Sequence, residues 1–430
     1  MPTRHHDTRR LLDALLDAAI AAAHPAHCLP PHLPGIPAGG RLMVIGAGKA
    51  AAAMAVATEQ HYAGQGERDR VAGFVTTRHG YGLPTAWIEV TEAGHPVPDE
   101  PGLASARRAL ELAATAGPND LVLVLLSGGA SALWPQPVAG VSLADKQVTT
   151  RALLKSGAPI HAVNAVRKHL SRIKGGRLAQ AAAGARLLTL AISDVPGDDP
   201  ASIGSGPTVP DPTTLRAARA IIERYGVDVP ASVRSALADP ANETPKPGDP
   251  AFARASYRIV AAPAMSLVAA RLVAIHAGYE VELLGDALEG EARELGAAHA
   301  RLALDAKRQG RRVAFLSGGE VTVTVRGNGK GGSNQEYALG LAIGLDGAPG
   351  IAALAADTDG TDGGGGAADD PAGAMVLPDS IARARDLNLN PVTFLADNDS
   401  GTFFGLLGDL VRRGPTQTNV NDFRALLIDP

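Results

Sequence analysis

The stretch "RLMVIGAGKAAAAMA", residues 41–55, joins an apolar segment to an alanine-rich one through Gly46, Gly48 and Lys49. This order predicts a β-strand, a tight turn and an α-helix. As a set, the apolar runs that follow lack a sustained period-two alternation, which is typical of parallel strands covered on both faces. The first half of the chain is therefore predicted to be a doubly wound, Rossmann-like α/β domain. The further runs lie at residues 72–77, 88–93, 121–129 and 185–194.

The length of 430 residues exceeds what one hydrophobic core usually organises, so two domains are expected. The polar, proline-bearing stretch 238–253 is interpreted as a linker. It places an N-terminal domain at residues 1–240 and a C-terminal domain at residues 250–430. The second half also mixes strand and helix patterns, but "EVTVTV" at 320–325 alternates. It predicts a partly exposed antiparallel strand, and hence an α/β domain with a partly mixed sheet.

Charge and composition exclude several classes of protein. A net charge of -4 argues against nucleic-acid binding, which normally requires a basic excess. The single cysteine, Cys28, excludes an intrachain disulfide and fits a reducing compartment. Residues 1–23 lack the roughly 18 continuous apolar residues of a membrane helix and instead place leucines on one helical face. We predict a cytoplasmic protein without nucleic-acid or membrane partners, and we leave a homo-oligomer open.

The loop that carries Lys49 fits several kinds of site. It is not a Walker A loop, because Met43 and Ala50 stand where that motif needs glycine and Ser/Thr. A dinucleotide fingerprint matches formally through Gly46, Gly48 and Ala51, with Glu67 or Asp69 about 20 residues further on. A simpler interpretation is an anion site, with the lysine in the first turn of a helix beside free N–H groups. A glycine turn with a solvated lysine also remains open.

Other predicted strands end in residues that suit anions or metals. Two of them end in Ser-Gly-Gly, which presents successive N–H groups and a hydroxyl to phosphate or carboxylate oxygens. The long loop 191–211 follows another strand and is expected to be functional. Asp194 is its best-placed carboxylate, whereas Asp198 and Asp199 fit turn positions. The two Ser-Gly-Gly turns are Ser127, Gly128, Gly129 and Ser317, Gly318, Gly319, the latter followed by Glu320.

Two stretches of the second half complete the candidate residues. Residues 324–339 carry Arg326 and a glycine-rich loop that opens into a helix at Ser333, Asn334 and Glu336, which predicts an anion-receiving helix N-terminus. Residues 354–366 resemble an EF-hand loop, but Ala368 replaces the glutamate of position 12. Magnesium held by one or two carboxylates and by phosphate oxygens is favoured over calcium. The carboxylates are Asp357, Asp359 and Asp362.

Eight motifs in order resemble the glycerate 2-kinases of the MOFRL group, and they span nearly the whole chain. They are "GAGKAAAAMA", "GHPVPDE", "LLSGGASAL", "VRKHLSRIKGGRLA", "SDVPGDDPASIGSGPTVPD", "SGGEVTVTVRGNGKGGSNQE", "ADTDGTDG" and "DNDSGTFFGLLGDLVRRGPTQTNVNDFRALL".

The resemblance implies two α/β domains around a cleft that holds the active site. It also implies ATP with Mg²⁺ as the donor and D-glycerate as the acceptor, phosphorylated to 2-phospho-D-glycerate. The catalytic pair of that family carries over to Lys49 and Arg326, and we add Asp194 and Asp362 as predicted metal contacts. Lys174, before a glycine pair, is predicted to reach the cleft. The predicted nucleotide and substrate contacts are Gly46, Gly48, Ser127, Gly128, Gly129, Lys174, Gly318, Gly319, Glu320, Asn334 and Glu336.

The sequence departs from that family at two places. Ser333 stands where the family usually has arginine, and the loop after "DTDG" is expanded by glycines at 363–366. The alternative function is an NAD(P)H-dependent hydroxypyruvate reductase, with "GAGKAA" as the nicotinamide loop and His95 or His161 orienting the keto acid. A binding protein for sugar acids or nucleotides is a third class.

Overall fold

The chain divides into two compact units. The computed structural model describes residues 2–364 and 369–430, with side chains from residue 7 onward, so Gly365 and Gly366 of the glycine expansion lie outside the described residues. We call Cys28–Val260 the central unit, and Met1–His27 together with Ala261–Pro430 the terminal unit.

This grouping differs from the expected division into 1–240 and 250–430 because of the first helix, α1 (Pro2–Ala23). A short helix, α2 (Pro25–Cys28), follows it. Leu12, Leu15 and Leu16 of α1 are fully buried in a core of the terminal unit. Each buried leucine contributes roughly 1.5–3 kcal/mol, which attaches this helix to the far end of the chain.

The central unit is built on a six-stranded sheet of order β3-β2-β1-β4-β5-β6. β1 pairs in parallel with β2 and β4, β2 with β3, and β4 with β5. This confirms the predicted doubly wound sheet, since β1 and β4 are buried along their whole length. The strands are β1 (Leu42–Ala47), β2 (Val71–Arg78), β3 (Ile88–Ala93), β4 (Leu121–Leu126), β5 (Arg186–Ile192) and β6 (Ala255–Ala261).

Helices follow the strands of the central unit. Two of the longer ones, α4 and α6, begin at polar caps: Asp99 accepts the N–H of Gly102, and Ser142 accepts that of Asp145. Because Ala47 of β1 lies opposite Thr76 of β2 and Leu126 of β4, the loops after these strands emerge at one edge. The helices are α3 (Ala51–Ala63), α4 (Glu100–Ala114), α5 (Ala130–Leu133), α6 (Leu143–Lys155), α7 (Ile160–His169), α8 (Arg177–Ala181), α9 (Leu215–Arg224) and α10 (Ala231–Ala238).

The terminal unit contains a mixed six-stranded sheet of order β11-β10-β9-β12-β8-β7. β12 runs antiparallel to β8 and β9, β10 is antiparallel to β9 and β11, and β7 is parallel to β8. The mixed sheet was predicted, and the pairing of β12 brings Asp422 opposite Asp357 at one sheet edge. The strands are β7 (Glu280–Gly285), β8 (Val313–Ser317), β9 (Ile351–Asp357), β10 (Gly373–Val376), β11 (Leu410–Val411) and β12 (Asp422–Ile428).

Helices cover both faces of this sheet. α1 packs with α11 on one face, while α12 and α13 pack together on the other, in a core that includes Phe315 and Phe403. Among the helices in the described residues, none is long and apolar enough to cross a membrane. The helices are α11 (Pro263–His276), α12 (Ala292–Arg308), α13 (Ser333–Leu345), α14 (Ser380–Asp386), α15 (Pro391–Ala396) and α16 (Ser400–Leu407).

The stretch 238–253 is not a free linker. It belongs to the central unit, where Glu243 lies 3.0 Å from His169 Nε2 and accepts the N–H of Leu215 at 3.1 Å. Thr244 Oγ1 donates to Asp211 at 3.0 Å. Proline and charge marked the stretch as polar, but they carry no signal for the buried partners that fix it.

The predicted antiparallel strand "EVTVTV" is also wrong. In residues 320–325 a single isolated bridge joins Thr322 to Glu291, and Thr324 and Val325 are exposed. The antiparallel partner of β8 is β12 instead. Alternation alone did not reveal that a later, more apolar segment takes that position in the sheet.

Candidate functional site

Lys49 lies directly after β1, at the carboxyl edge of the central sheet, in a loop that we call the lysine loop (residues 46–50). Its backbone N–H donates to the carbonyl of Gly128 at 2.8 Å, and its carbonyl accepts from Thr77 Oγ1 at 3.3 Å. The N–H of Ala50 donates to Ser127 Oγ at 3.0 Å. These bonds fix the loop to the ends of β2 and β4, while the lysine side chain is half-buried.

The glycines of the lysine loop are required by internal packing. Gly48 has φ +140°, and a Cβ on it would lie 2.0 Å from Ser127 Oγ. Gly46 lies inside β1, where a Cβ would lie 2.8 Å from Val75 Cγ1 and 2.9 Å from the carbonyl of Leu125. The structure therefore does not support a ligand contact at Gly46, since its neighbours are strand atoms.

The Ser-Gly-Gly turn after β4 supports the lysine loop. Ser127 is fully buried, and its hydroxyl accepts the N–H of Ala50, so this geometry does not support the predicted phosphate contact by that hydroxyl. Gly128 offers its carbonyl to Lys49. Gly129 has φ +86° and begins α5; a Cβ on it would lie 3.5 Å from Lys49 Cγ and 3.0 Å from His95 Cδ2. Gly129 thus has the lysine stem on one side and an imidazole on the other.

The dinucleotide fingerprint fails on geometry. Glu67 immediately precedes a 3₁₀ turn (Arg68–Arg70) that contains Asp69, and both lie before β2, whose first residue, Val71, pairs with the first residue of β1. Both carboxylates therefore lie at the amino end of β2. A ribose-binding acid belongs at the carboxyl edge, where β2 ends in Arg78.

Two other predicted residues lie in the central unit. Asp194 follows β5 and is half-buried at the carboxyl edge of the sheet. Lys174 is 1% exposed, and its ammonium donates to the carbonyl and the hydroxyl of Ser131 at 2.6 and 3.0 Å. Cys28 is buried, and burial raises the pKa of its thiol to about 12, so it stays protonated at neutral pH.

Arg326 lies in the terminal unit on an exposed loop that we call the arginine loop (residues 326–330). Its N–H and that of Gly327 donate to Asn398 Oδ1 at 2.7 and 3.1 Å. Asn328 and Gly329 donate to Asp397, and Lys330 donates to Asp399 at 2.8 Å. Five successive N–H groups are thus taken by the chain itself, and what this loop presents is the guanidinium of Arg326.

Glu336 supports the arginine loop through its hydrogen bond with Asn398. It is 1% exposed, and its carboxylate accepts from Arg293 Nε at 2.7 Å and from Asn398 Nδ2 at 2.8 Å. Both oxygens are therefore used within the terminal unit, and Glu336 acts on Arg326 through Asn398. The predicted direct contact of Glu336 with a ligand is not supported by this burial.

The N-terminus of α13 is capped by Asp362. Its two oxygens accept the N–H groups of Asn334 and Gln335 at 3.0 and 2.9 Å, and the Gln335 amide at 3.0 Å. The Ser333 hydroxyl lies 3.4 Å from the same carboxylate. This corrects the prediction of an anion site here, because the donors of the first turn already face a carboxylate. Asn334 is fully buried and also bonds to Asp422.

Asp362 does not fit the predicted metal role. Its oxygens face N–H donors, and a donor set of this kind repels a cation. Burial raises the pKa of Asp362 to about 6, helped by the nearby Asp422, although the N–H groups of Asn334 and Gln335 oppose the shift. Burial also raises the pKa of Asp422, which Arg424 opposes. Across residues 2–364 and 369–430, no group of three or more His, Cys, Asp or Glu side chains is placed to hold a metal ion.

The Ser-Gly-Gly turn after β8 is packed inside the terminal unit. Gly318 donates to the carbonyl of Gly285 at 2.8 Å, and its own carbonyl accepts from Arg424 at 3.1 Å. Gly319 has φ +105°, and a Cβ there would lie 2.2 Å from the backbone of Leu288. Both glycines are thus in contact with protein backbone, whereas Glu320 is exposed.

Sequence reasoning missed the residues that hold Arg326. Asp397, Asn398 and Asp399 belong to "DNDSG", which was quoted as a motif without a role. Asn398 has φ +54°, a conformation that asparagine tolerates better than most residues. A cluster of Asx residues after a short helix was the available signal, but its partners lie about 70 residues earlier in the chain.

The fold and site define a two-unit α/β protein with a lysine at the end of the first strand of a doubly wound sheet and an arginine on a clamped loop of a mixed-sheet unit. Two family models match the sequence: "Domain of unknown function (DUF4147)" over residues 11–238 and "MOFRL family" over residues 313–422. The chain belongs to the family of proteins that combine these two regions, which confirms the predicted MOFRL resemblance.

Relatives of this chain carry two kinds of name. A "Putative hydroxypyruvate reductase" of Agrobacterium vitis is 50% identical over 426 residues, which are 98% of this chain and 94% of that protein. A "D-glycerate 2-kinase" of Thermotoga maritima is 40% identical over 387 residues, 89% of each chain. The crystal structure of a glycerate kinase from the same organism superposes with a TM-score of 0.86 at 37% identity, covering 98% of this chain and 100% of that one.

Proposed function

We propose that this protein is a glycerate 2-kinase, which transfers the γ-phosphoryl group of ATP to the 2-hydroxyl of D-glycerate. The similarity along the whole chain to named glycerate kinases, in sequence and in fold, carries this proposal. The two cations that the sequence singled out, Lys49 and Arg326, are both held on backbones fixed by hydrogen bonds.

In the reaction, the 2-oxygen of glycerate forms a bond to the γ-phosphorus, and the bond from that phosphorus to the β,γ-bridging oxygen breaks. The electron pair leaves with ADP, and the hydroxyl proton is released to water. Such transfers pass through a loose transition state, so positioning and charge stabilisation matter more than a strong base. We assign charge stabilisation on the transferring group to the ammonium of Lys49 and the guanidinium of Arg326.

Magnesium would neutralise the phosphate charges of ATP when it is bound. Mg²⁺ commonly uses one or two carboxylates together with substrate phosphates. Asp194, at the carboxyl edge of the central sheet, suits this role by its position. We leave Asp362 out of it because its oxygens are occupied by N–H donors. A location in the cytoplasm, where ATP is plentiful, goes with this proposal.

The reductase is the second candidate, and the relative at 50% identity favours it by name. Its nicotinamide loop would be the lysine loop. The geometry argues against this role, because the space that a Cβ of Gly48 would need is filled by Ser127, and Glu67 and Asp69 lie at the wrong end of β2. A kinase therefore explains the lysine better than a reductase does.

Two incubations separate the candidates. The purified protein is given D-glycerate with ATP and Mg²⁺, and separately hydroxypyruvate with NADH or NADPH. We expect 2-phosphoglycerate, identified by its direct consumption by enolase without a mutase, and no oxidation of the nicotinamide. Lys49→Met should lower kcat/KM for glycerate by at least about 100-fold, whereas Lys155→Met, on the exposed end of α6, should not. Nicotinamide oxidation without phosphorylation would replace the kinase with the reductase.

A further inference from the structure

A cavity of about 260 Å³ opens in the central unit beside the end of β4. Its apolar walls include Pro96, Pro98, Pro135 and Leu143. Its polar lining comes from α5, α6, α7 and the segment just before α8. The cavity therefore combines elements that follow different strands of one sheet, at the edge where doubly wound sheets bind ligands.

The charge around this cavity is one-sided. Lys146, Arg151, Arg167 and Lys174 line it, and among its described lining residues there is no carboxylate. Lys146 and Lys174 are 5% and 1% exposed, whereas Arg151 is exposed at the rim. Buried charges in proteins are normally paired. By contrast, Lys168 of the same basic segment pairs with Asp211 at 3.4 Å.

The hydroxyl of Ser131 fixes two of these cations. Its oxygen accepts from Arg167 Nη2 at 2.6 Å and from Lys174 Nζ at 3.0 Å, and it lies 2.9 Å from Ser205 Oγ. A hydroxyl oxygen has two acceptor sites and one proton. The two cations occupy both acceptor sites, so the proton points to Ser205. Arg167 and Lys174 are therefore held side by side in fixed positions.

Each cation keeps donors for a ligand. Lys174 Nζ spends a second N–H on the carbonyl of Ser131, and Lys146 Nζ donates to the carbonyl of Pro135 at 2.9 Å. An ammonium has three donors and a guanidinium five. Within the described part of the chain, Lys174 thus retains one donor, Lys146 two, and Arg167 those beyond its bonds to Ser131 and Asn164.

The cations also repel one another. Burial lowers the pKa of Lys174 well below its usual value, and Lys146 and Arg167 lower it further. Burial likewise lowers the pKa of Lys146, with Arg167 and Arg177 adding to the shift. An anion in the cavity would relieve this repulsion and favour the charged ammonium groups.

The cavity is next to the surroundings of Lys49. A Cβ added to Gly129 would lie 3.5 Å from Lys49 Cγ, and Gly129 precedes Ser131 by two residues. His95 directly precedes Pro96, which lines the cavity. Two residues span at most roughly 7 Å. Ser131 in the cavity wall is therefore close to the residue that packs against the stem of Lys49.

We infer that Ser131, Lys146, Arg151, Arg167 and Lys174, which we call the cationic pocket, hold the carboxylate of the acceptor acid. The identity of that acid rests on the proposed kinase function. The volume lies below the about 300–1,000 Å³ of sites for drug-sized ligands, so it suits a three-carbon acid and does not accommodate a whole nucleoside triphosphate. The pocket thus selects small hydroxy acids over neutral alcohols.

The first test is calorimetric binding of D-glycerate to the full chain without nucleotide, with glyceramide as the neutral probe. The wild type should bind glycerate and bind glyceramide at least 30-fold more weakly. Arg167→Met should weaken glycerate binding at least 30-fold. Arg172→Met, which removes an exposed arginine of the same segment, should change it less than 2-fold. Equal binding of glycerate and glyceramide, or unchanged glycerate binding in Arg167→Met, would overturn the inference.

The second test separates the carboxylate from the phosphates of the donor. In Arg167→Met the KM for D-glycerate should rise at least 30-fold, while the KM for ATP stays within 2-fold. A rise in the KM for ATP with the glycerate KM unchanged would assign the pocket to phosphate and overturn the inference. Arg151→Met is a second variant that leaves the buried residues in place, because Arg151 is exposed at the rim. It should raise the KM for glycerate 3- to 10-fold, and an unchanged KM would count against the pocket.

Failure of the pocket and failure of the kinase proposal remain distinct. If the protein binds glycerate through Arg167 but does not phosphorylate it, the pocket inference stands and the kinase proposal fails. If the protein phosphorylates glycerate and the KM for glycerate is unchanged in Arg167→Met and Arg151→Met, the kinase proposal stands and the pocket inference fails.

Discussion

The side-chain amide of Asn398 holds the backbone of Arg326. Oδ1 accepts the N–H of Arg326 at 2.7 Å, and Nδ2 donates at 2.8 Å to the buried carboxylate of Glu336, which also accepts from Arg293. The backbone that carries an exposed guanidinium is thereby tied to an ion pair of the terminal unit whose carboxylate is buried. Rigid support of this kind lowers the entropy cost of placing a charge on a reacting group.

Asn398→Ala should therefore reduce kcat/KM for glycerate by about 10- to 100-fold, since a displacement of about 1 Å can cost 100-fold. The measurement is steady-state kinetics, accompanied by circular dichroism to verify the fold. Asn388→Ala is the matched control, because Asn388 also has positive φ, at 57°, and is exposed. If both variants lose activity equally, backbone strain rather than the hold on Arg326 is the cause.

Glu336→Ala should destabilise the protein by about 1–3 kcal/mol, because it removes the buried acceptor of the Asn398 amide and the nearer carboxylate partner of Arg293, which keeps only Glu291 at 3.7 Å. Glu336→Gln keeps the shape and should cost less. Urea denaturation measures the difference, with Glu111→Ala, exposed on α4, as the control that changes stability by no more than about 0.5 kcal/mol. Equal losses for Glu336→Ala and Glu111→Ala would contradict the role of this ion pair.

Gly48→Ala should destabilise the lysine loop. The new Cβ would lie 2.0 Å from Ser127 Oγ on a backbone with φ +140°, so the loop must move. We expect a loss of about 1–3 kcal/mol and a fall in kcat of at least about 100-fold as Lys49 is displaced. Gly35→Ala, where a Cβ meets nothing within 4 Å, is the control. Wild-type kcat in Gly48→Ala would show that the conformation of this loop does not matter.

Asp362 should make stability depend on pH with a definite sign. Its pKa is raised from 3.8 to about 6 by burial, so between these values the folded state binds more protons than the unfolded state. Stability from this group is therefore present below pH 3.8 and is lost as pH rises through 6. Over the whole window the change is on the order of 2–3 kcal/mol.

The measurement compares urea denaturation of the wild type and Asp362→Asn at pH 4.5 and pH 7.5. Relative to the variant, the wild type should gain stability at the lower pH, because the variant lacks this titration. We compare the two proteins because other carboxylates change the stability with pH in the opposite direction. Burial alone would raise the pKa of Glu243, but hydrogen bonds from Lys246, Leu215 and His169 lower it to about 2. A difference that does not change with pH would refute the assignment.

The strands of the central sheet could be predicted because their signal is local. The apolar runs at 41–46, 72–77 and 88–93 correspond to Leu42–Ala47, Val71–Arg78 and Ile88–Ala93. A parallel strand buried on both faces needs a continuous apolar run, so its position is written in consecutive residues. For the same reason the location of Lys49 after the first strand was correctly predicted.

The sequence alone did not reveal which residues accept the N–H groups of the arginine loop and of the α13 N-terminus. The N-terminus of α13 was predicted to receive an anion, yet Asp362 already accepts its N–H groups, just as Asp397, Asn398 and Asp399 accept those of the arginine loop. Each acceptor lies about 28 to 72 residues from its donor in the chain. A local pattern shows which groups need partners, and it does not show whether the fold supplies them.

By itself the sequence determined the α/β class and the buried strands, because residue type and local periodicity encode these features. The roles proposed for Lys49 and Arg326 came from the resemblance of its motifs to the MOFRL group. The tertiary structure decided the rest: which unit receives the first helix, what occupies the glycine turns, and which cations share a cavity. Lys146, Arg167 and Lys174 face one another only after three separate segments fold together. The charge balance of that pocket, and therefore the ligand it can hold, is a property of the folded chain.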